Sequence, residues 1–205
     1  MAIILNKHRS PIEVRCHRAS SWIDRAGKLE PADWDGRFIF YWIAFNSLYG
    51  QPKYLEKRDE RTGEGKDIGK FLNEIFFLDP DRVRQNLNAI REDRQKLMRD
   101  HFLCDECWKH WHNKQLYTAG ERQRESCYHK DRDSDLVQLF ARLYVLRKQL
   151  FHGCSKDRST KNREMLKGAV LVLKNLVPLF RDIVQIHGTR MLFLNSLPYP
   201  PSVPL

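Results

Sequence analysis

Apolar positions recur along this chain at intervals of three and four, and period-two alternation is nearly absent. That spacing predicts helices rather than strands. The segment 10–27, "SPIEVRCHRASSWIDRAG", scans as one helix, with Ser10 as N-cap, Pro11 at the first helical position and Gly27 at its end. A second helix runs from Pro31 to Gly50. Between Phe38 and Leu48 it is apolar on almost every side, which predicts deep burial. Residues 51–66 are charged and contain glycine, as in a surface loop. After Asp67, the positions Ile68, Phe71, Leu72 and Ile75 predict an amphipathic helix. From Pro80, a further one carries Val83, Leu87, Ile90 and Leu97 in a single run. The periodicity then lapses over 104–133.

It resumes at Ser134, a natural N-cap, and continues to Gly153. The last long helix spans 159–188, with Pro178 expected to kink it and Gly188 to end it. Residues 189–205 form an extended proline-rich tail. The pattern therefore predicts an all-α bundle of about five helices, with the helices from Pro31 and from Ser134 most buried. One domain over 1–205 accommodates all of this, with 104–133 as an irregular insertion.

Composition changes the picture in two ways. An apolar share of 41% supports a packed core, and a formal net charge of +10 makes a polyanion such as RNA a plausible partner. No apolar run approaches the roughly 18 to 20 residues that span a bilayer, so no membrane association is expected. The first apolar stretch is too short for an export signal, and the five cysteines are odd in number. Both fit reduced thiols or metal ligands in a cytoplasmic protein.

The chemistry concentrates near the end of the helix from Ser134, in "LYVLRKQLFHGCSK". Arg147 and Lys148 stand on a largely apolar helix, and His152 comes just before the glycine that stops it. Arginine and histidine four to six residues apart occur elsewhere, as Arg94/His101, Arg122/His129, Arg124/His129 and Arg181/His187. Those lie on amphipathic helices with solvated faces or in the polar insertion. A cation on an apolar helix is costly unless it has a partner or a task, which singles out Arg147 and His152. Positions five apart on a helix diverge by roughly 140°, whereas Lys148 and His152, four apart, share a face. Arginine and histidine therefore meet only if the helix unwinds near Gly153 or if two copies share one cleft. Arginine forks onto phosphate oxygens and histidine moves a proton near neutral pH. Together they suit RNA cleavage by the ribose 2′-hydroxyl, with no metal or other cofactor needed for catalysis. A capping histidine beside an interface arginine fits the same residues.

A second cluster holds Cys104, Cys107, His110 and His112, followed by Cys127 and His129. Paired thiolates two residues apart are a common half of a structural zinc site, but the second half lacks the usual spacing. The cluster suits either a structural zinc or scattered thiols. The basic residues there, interleaved with Trp108, Trp111, Tyr117 and Tyr128, suit either a grip on single-stranded RNA or ordinary surface charge.

Three stretches taken in order resemble the HEPN superfamily of all-α ribonucleases, and more specifically its Apea-like group. They are "RLYVLRKQLFHG", the earlier "FYWIAFNSLYG" with Asn46 and Tyr49, and the later "STKNREMLKGAVLVLKNLVP" with Asn162 and Arg163. The resemblance covers about 34–201 and leaves the cysteine-containing insertion unmatched. It implies a HEPN-type helical bundle and a homodimer whose motifs face one another. It also implies a metal-independent endoribonuclease that leaves a 2′,3′-cyclic phosphate, as a toxin or anti-phage defence effector with an antitoxin or defence-system partner. By position, Arg147 and His152 become the catalytic pair, with Lys148, Asn46 and Tyr49 supporting. Lys148 departs from the polar Asn, Asp or His common there, and a lysine cannot accept a hydrogen bond as asparagine does. The same resemblance admits a non-catalytic module that dimerises and binds RNA or a protein.

Overall fold

The computed structural model describes residues 10–50, 64–104, 136–151 and 163–191. Among them are seven α-helices and no strand, so the fold is all-α. The helices are α1 (Pro11–Gly27), α2 (Trp34–Tyr49), α3 (Glu64–Leu78), α4 (Pro80–Ala89), α5 (Arg91–Arg99), α6 (Leu136–Phe151) and α7 (Arg163–His187). No helix among the described residues is long and apolar enough to cross a membrane.

Local chemistry explains the sharpest boundaries. At α1, the Glu13 backbone N–H donates to Ser10 Oγ at 3.2 Å, and the Ser10 N–H donates to Glu13 Oε2 at 2.7 Å. This reciprocal cap satisfies two otherwise orphaned donors. At α2, Asp33 caps the start through the Gly36 N–H, and Gly50 closes the end by donating to Asn46 O at 2.7 Å. The run expected as one helix from Pro80 is two. Ile90 leaves helical geometry at φ −107° and ψ 23°, ending α4 and starting α5. Neither glycine nor proline marks the break. Ile90 is buried, and the bend lets both α4 and α5 lie against α7.

The helix that touches the most others is the last one. The last helix, α7, packs against α1, α2, α3, α4 and α5, whereas α6 packs on α3, α5 and the short 3-10 turn His101–Leu103. With 25 residues, α7 is about 37 Å long at the usual helical rise, long enough to serve as the shared wall. Four helices meet in an aromatic cluster. Phe45 of α2 has ring centroids 4.6 Å from Phe140 of α6, 5.8 Å from Phe71 of α3 and 6.2 Å from Phe180 of α7. Where α7 ends, Gly188 lies so close to Ile12 of α1 that a Cβ there would come within 3.0 Å of its side chain.

Two arginines correct the simple reading of charge. Arg94 was expected on a solvated face, yet it is only 6% exposed, on the side of α5 that meets the rest of the bundle. Arg15 is fully buried. Its Nη1 donates to Leu48 O at 3.1 Å and to Gly50 O at 2.8 Å. A cation there satisfies carbonyls that a helix C-terminus leaves unpaired and complements its dipole.

Candidate functional site

Helix α6 ends in a stripe that the burial pattern separates from the core. Leu139, Phe140, Leu143 and Leu146 are buried, while Tyr144, Arg147 and Lys148 are half-buried and Phe151 is 52% exposed. The four outer residues fall at i, i+3, i+4 and i+7, the spacing of a single helix face. They touch as that spacing requires. The Arg147 guanidinium stands 5.7 Å from the Tyr144 ring centroid and 5.0 Å from that of Phe151, and Lys148 Nζ is 5.1 Å from Tyr144. Cations at this distance over aromatic faces are held by about 0.5–1 kcal/mol each at exposed sites. Tyr144 in turn packs on Trp42 of α2 at 6.3 Å, and Trp42 lies against Phe38 and Phe45. The cations therefore rest on a platform rooted in the core.

The opposite side of α6 is different. Arg142 and Gln149 are both buried, and Gln149 Nε2 donates to Phe102 O at 2.9 Å. Arg142 and Arg147 are five residues apart, so the roughly 140° between such positions sends one cation inward and the other outward.

The structure separates some of the expected partners. The ring pairs Phe45–Phe140 and Trp42–Tyr144 run in opposite chain senses, so α2 and α6 are antiparallel there. In that register Asn46 and Arg147 lie on opposite sides of the Trp42–Tyr144 contact, about 10 Å apart along the helices at 1.5 Å per residue. Asn46 does meet Tyr49: the tyrosine hydroxyl donates to Asn46 Oδ1 at 2.8 Å, and the Tyr49 ring is buried 4.7 Å from Phe45. Within one chain these two residues brace the second half of α2 rather than reach Arg147.

What does stand at the Arg147 end is an ion pair. Arg163, at the first position of α7, donates to Asp35 Oδ2 in the first turn of α2 at 2.6 Å. Counting back from Trp42 to Asp35 matches counting forward from Tyr144 to Phe151. The pair therefore lies at the end of the bundle where α6 stops.

His152, Gly153 and Asn162 lie outside the described residues, as does most of the Cys/His cluster: Cys107, His110, His112, Cys127 and His129. So do Trp108, Trp111, Tyr117 and Tyr128, the helix start at Ser134 and the tail beyond Met191. Cys104 is described and is buried just after the 3-10 turn. Among the described residues no group of three or more His, Cys, Asp or Glu is placed to hold a metal ion. A groove of about 610 Å³ lies between the start of α1 and the end of α7, lined by Ile12, Glu13, Cys16, His17 and Gln185 among others, and holds none of the candidate residues. Of the site residues the sequence pattern had left unremarked, Tyr144 and Phe151 stand out. Their signal was the helical spacing of an aromatic on either side of the two cations.

Comparisons with protein-family models, with characterised proteins and with solved structures found no match to this chain.

Proposed function

We propose that this protein is a metal-independent endoribonuclease of the HEPN type that works as a homodimer, acting as a toxin or anti-phage effector. The observation that carries the reading is the position of Arg147. It sits in the last turns of α6, on the face turned away from the core, four residues before Phe151, the last described position of the helix, and five before His152 in sequence. The three ordered sequence stretches supply the rest of the support.

In this reading the Arg147 guanidinium binds the scissile phosphate and stabilises the charge that accumulates as the ribose O2′ bonds to phosphorus. The His152 imidazole takes the 2′-hydroxyl proton or supplies one to the departing 5′ oxygen. The P–O5′ bond breaks, leaving a 2′,3′-cyclic phosphate and a 5′-hydroxyl. Lys148 adds a second phosphate contact. Positions five apart on an ideal helix diverge by roughly 140°, which is the reason to expect two copies, each completing a cleft with the other. The test is cleavage of single-stranded RNA in excess chelator. Wild type should cut, with Arg147→Ala and His152→Ala each slower by at least about a hundredfold, the usual scale for losing proton transfer or charge stabilisation. Equal cutting by all three proteins would overturn the assignment.

One observation favours a second reading, a non-catalytic module that binds RNA or a protein through the same face. Asn46 and Tyr49 bond each other and lie away from Arg147, so one chain does not bring them to the cation. Growth arrest on expression that His152→Ala relieves speaks for the enzyme. Arrest unaffected by that change speaks for the module.

A further inference from the structure

We propose that Phe151 is a stacking platform for an unpaired nucleobase, placed by α6 beside the phosphate-binding cation, so that this face selects single-stranded over duplex RNA. The proposal rests on the reading that the Arg147 face binds RNA. Phe151 is a large apolar side chain left 52% exposed at the final described position of α6. The Arg147 guanidinium lies over its ring at 5.0 Å, so the remaining aromatic surface is presented next to a fixed positive charge. A nucleotide offers the matching pair of features, an anionic phosphate and a flat π-face about one sugar away. Bases are free to stack on aromatic side chains only where the strand is unpaired.

Charge argues for this occupant over a second copy seated directly on the stripe. A two-fold contact closed over it would oppose Arg147 and Lys148 with their own duplicates, a like-charge arrangement that costs several kcal/mol. A polyanion between the copies removes that conflict, and the formal net charge of +10 favours its approach. Tyr144, packed on Trp42, and Phe151 flank the Arg147 guanidinium at 5.7 and 5.0 Å, so the cation that would hold the phosphate is placed before a base arrives.

The test measures fluorescence anisotropy of a labelled single-stranded RNA and of its duplex, in a His152→Ala background so that no RNA is cut. Stacking of one base is worth about 1–3 kcal/mol. Phe151→Ala should therefore weaken single-strand binding by roughly fivefold or more and leave duplex binding unchanged. Phe151→Trp should retain affinity, and Phe151→Leu should lose it, because leucine is apolar but has no π-face. The loss should be larger for an oligoadenylate than for an oligouridylate, since a purine stacks over more area. Leucine binding as well as phenylalanine would overturn the platform. So would a Phe151→Ala protein whose only change is its oligomeric mass by light scattering, which would assign the ring to the contact between copies. Arg147→Ala separates the two ideas: if it weakens RNA binding while Phe151→Ala does not, the platform fails and the RNA reading stands. If neither variant weakens it, both fail.

Discussion

Arg15 carries more structural weight than its place on a polar-looking helix suggests. A fully buried guanidinium that donates to the last carbonyls of α2 ties α1 to the end of the most aromatic helix in the bundle. Burial, reinforced by Arg18, pulls its pKa down from the usual arginine value to about 10, so it remains cationic at neutral pH. Arg15→Met keeps much of the volume and removes both donors. Charged hydrogen bonds contribute about 1.5–3 kcal/mol, and orphaned carbonyls add a penalty. The variant should lose about 2–4 kcal/mol in urea unfolding, and a loss near zero would show the cap to be dispensable. Cys16, beside it, gives a pH prediction. Burial, aided by Asp182 and opposed by Arg181 and Arg15, raises its thiol from 9.0 to about 11. The folded state therefore holds a proton that the unfolded state has released between those values. Its contribution to stability is complete below pH 9 and is lost as pH rises through about 11. Cys16→Ala should flatten the fall in stability across that window, measured as the slope rather than the absolute value. The native thiol should alkylate slowly at pH 8. Rapid alkylation without unfolding would contradict its burial.

At the scale of the elements, the Asp35–Arg163 pair is the connection most relevant to the site. It fastens the first residue of α7 to the first turn of α2, at the end of the bundle where α6 gives out. Its side chains are 22% and 23% exposed, so it lies between the surface pairs that contribute almost nothing and the buried ones that are costly to break. A double-mutant cycle with Asp35→Asn and Arg163→Met should show a coupling of about 1–2 kcal/mol. Coupling below about 0.3 kcal/mol would mark it as an ordinary surface pair. The elements also show why some boundaries were readable and others were not. Ser10 and Pro11 announced α1 because a helix start is set locally, by a side chain that caps the backbone and a ring that fixes φ. Ile90 announced nothing, because the bend there follows from what α4 and α5 meet on α7. The shared face of Tyr144, Arg147, Lys148 and Phe151 followed from helical spacing alone. The separation of Asn46 from Arg147 did not, because it depends on the direction in which α2 and α6 pass one another.

For the whole molecule, the excess of cations makes salt the appropriate probe. If Arg147 and Lys148 each contact phosphate, log Kd for single-stranded RNA should depend linearly on log salt. Replacing Lys148 by alanine should reduce the magnitude of the slope by about 0.7, the counterion release of one phosphate contact on a single strand. An unchanged slope would place Lys148 off the nucleic acid. By itself the sequence determined the all-α class, the cap and stop of the clearest helices, and the cations on α6, since periodicity, capping and composition act over a few residues. Only the tertiary structure decided that α7 rather than α2 or α6 is the shared wall, and that Arg15 and Arg94 are inside. It also decided that Asn46 turns to Tyr49 and that Tyr144, Arg147, Lys148 and Phe151 form one outward face. Burial and register are properties of how helices meet, and no single segment carries that information.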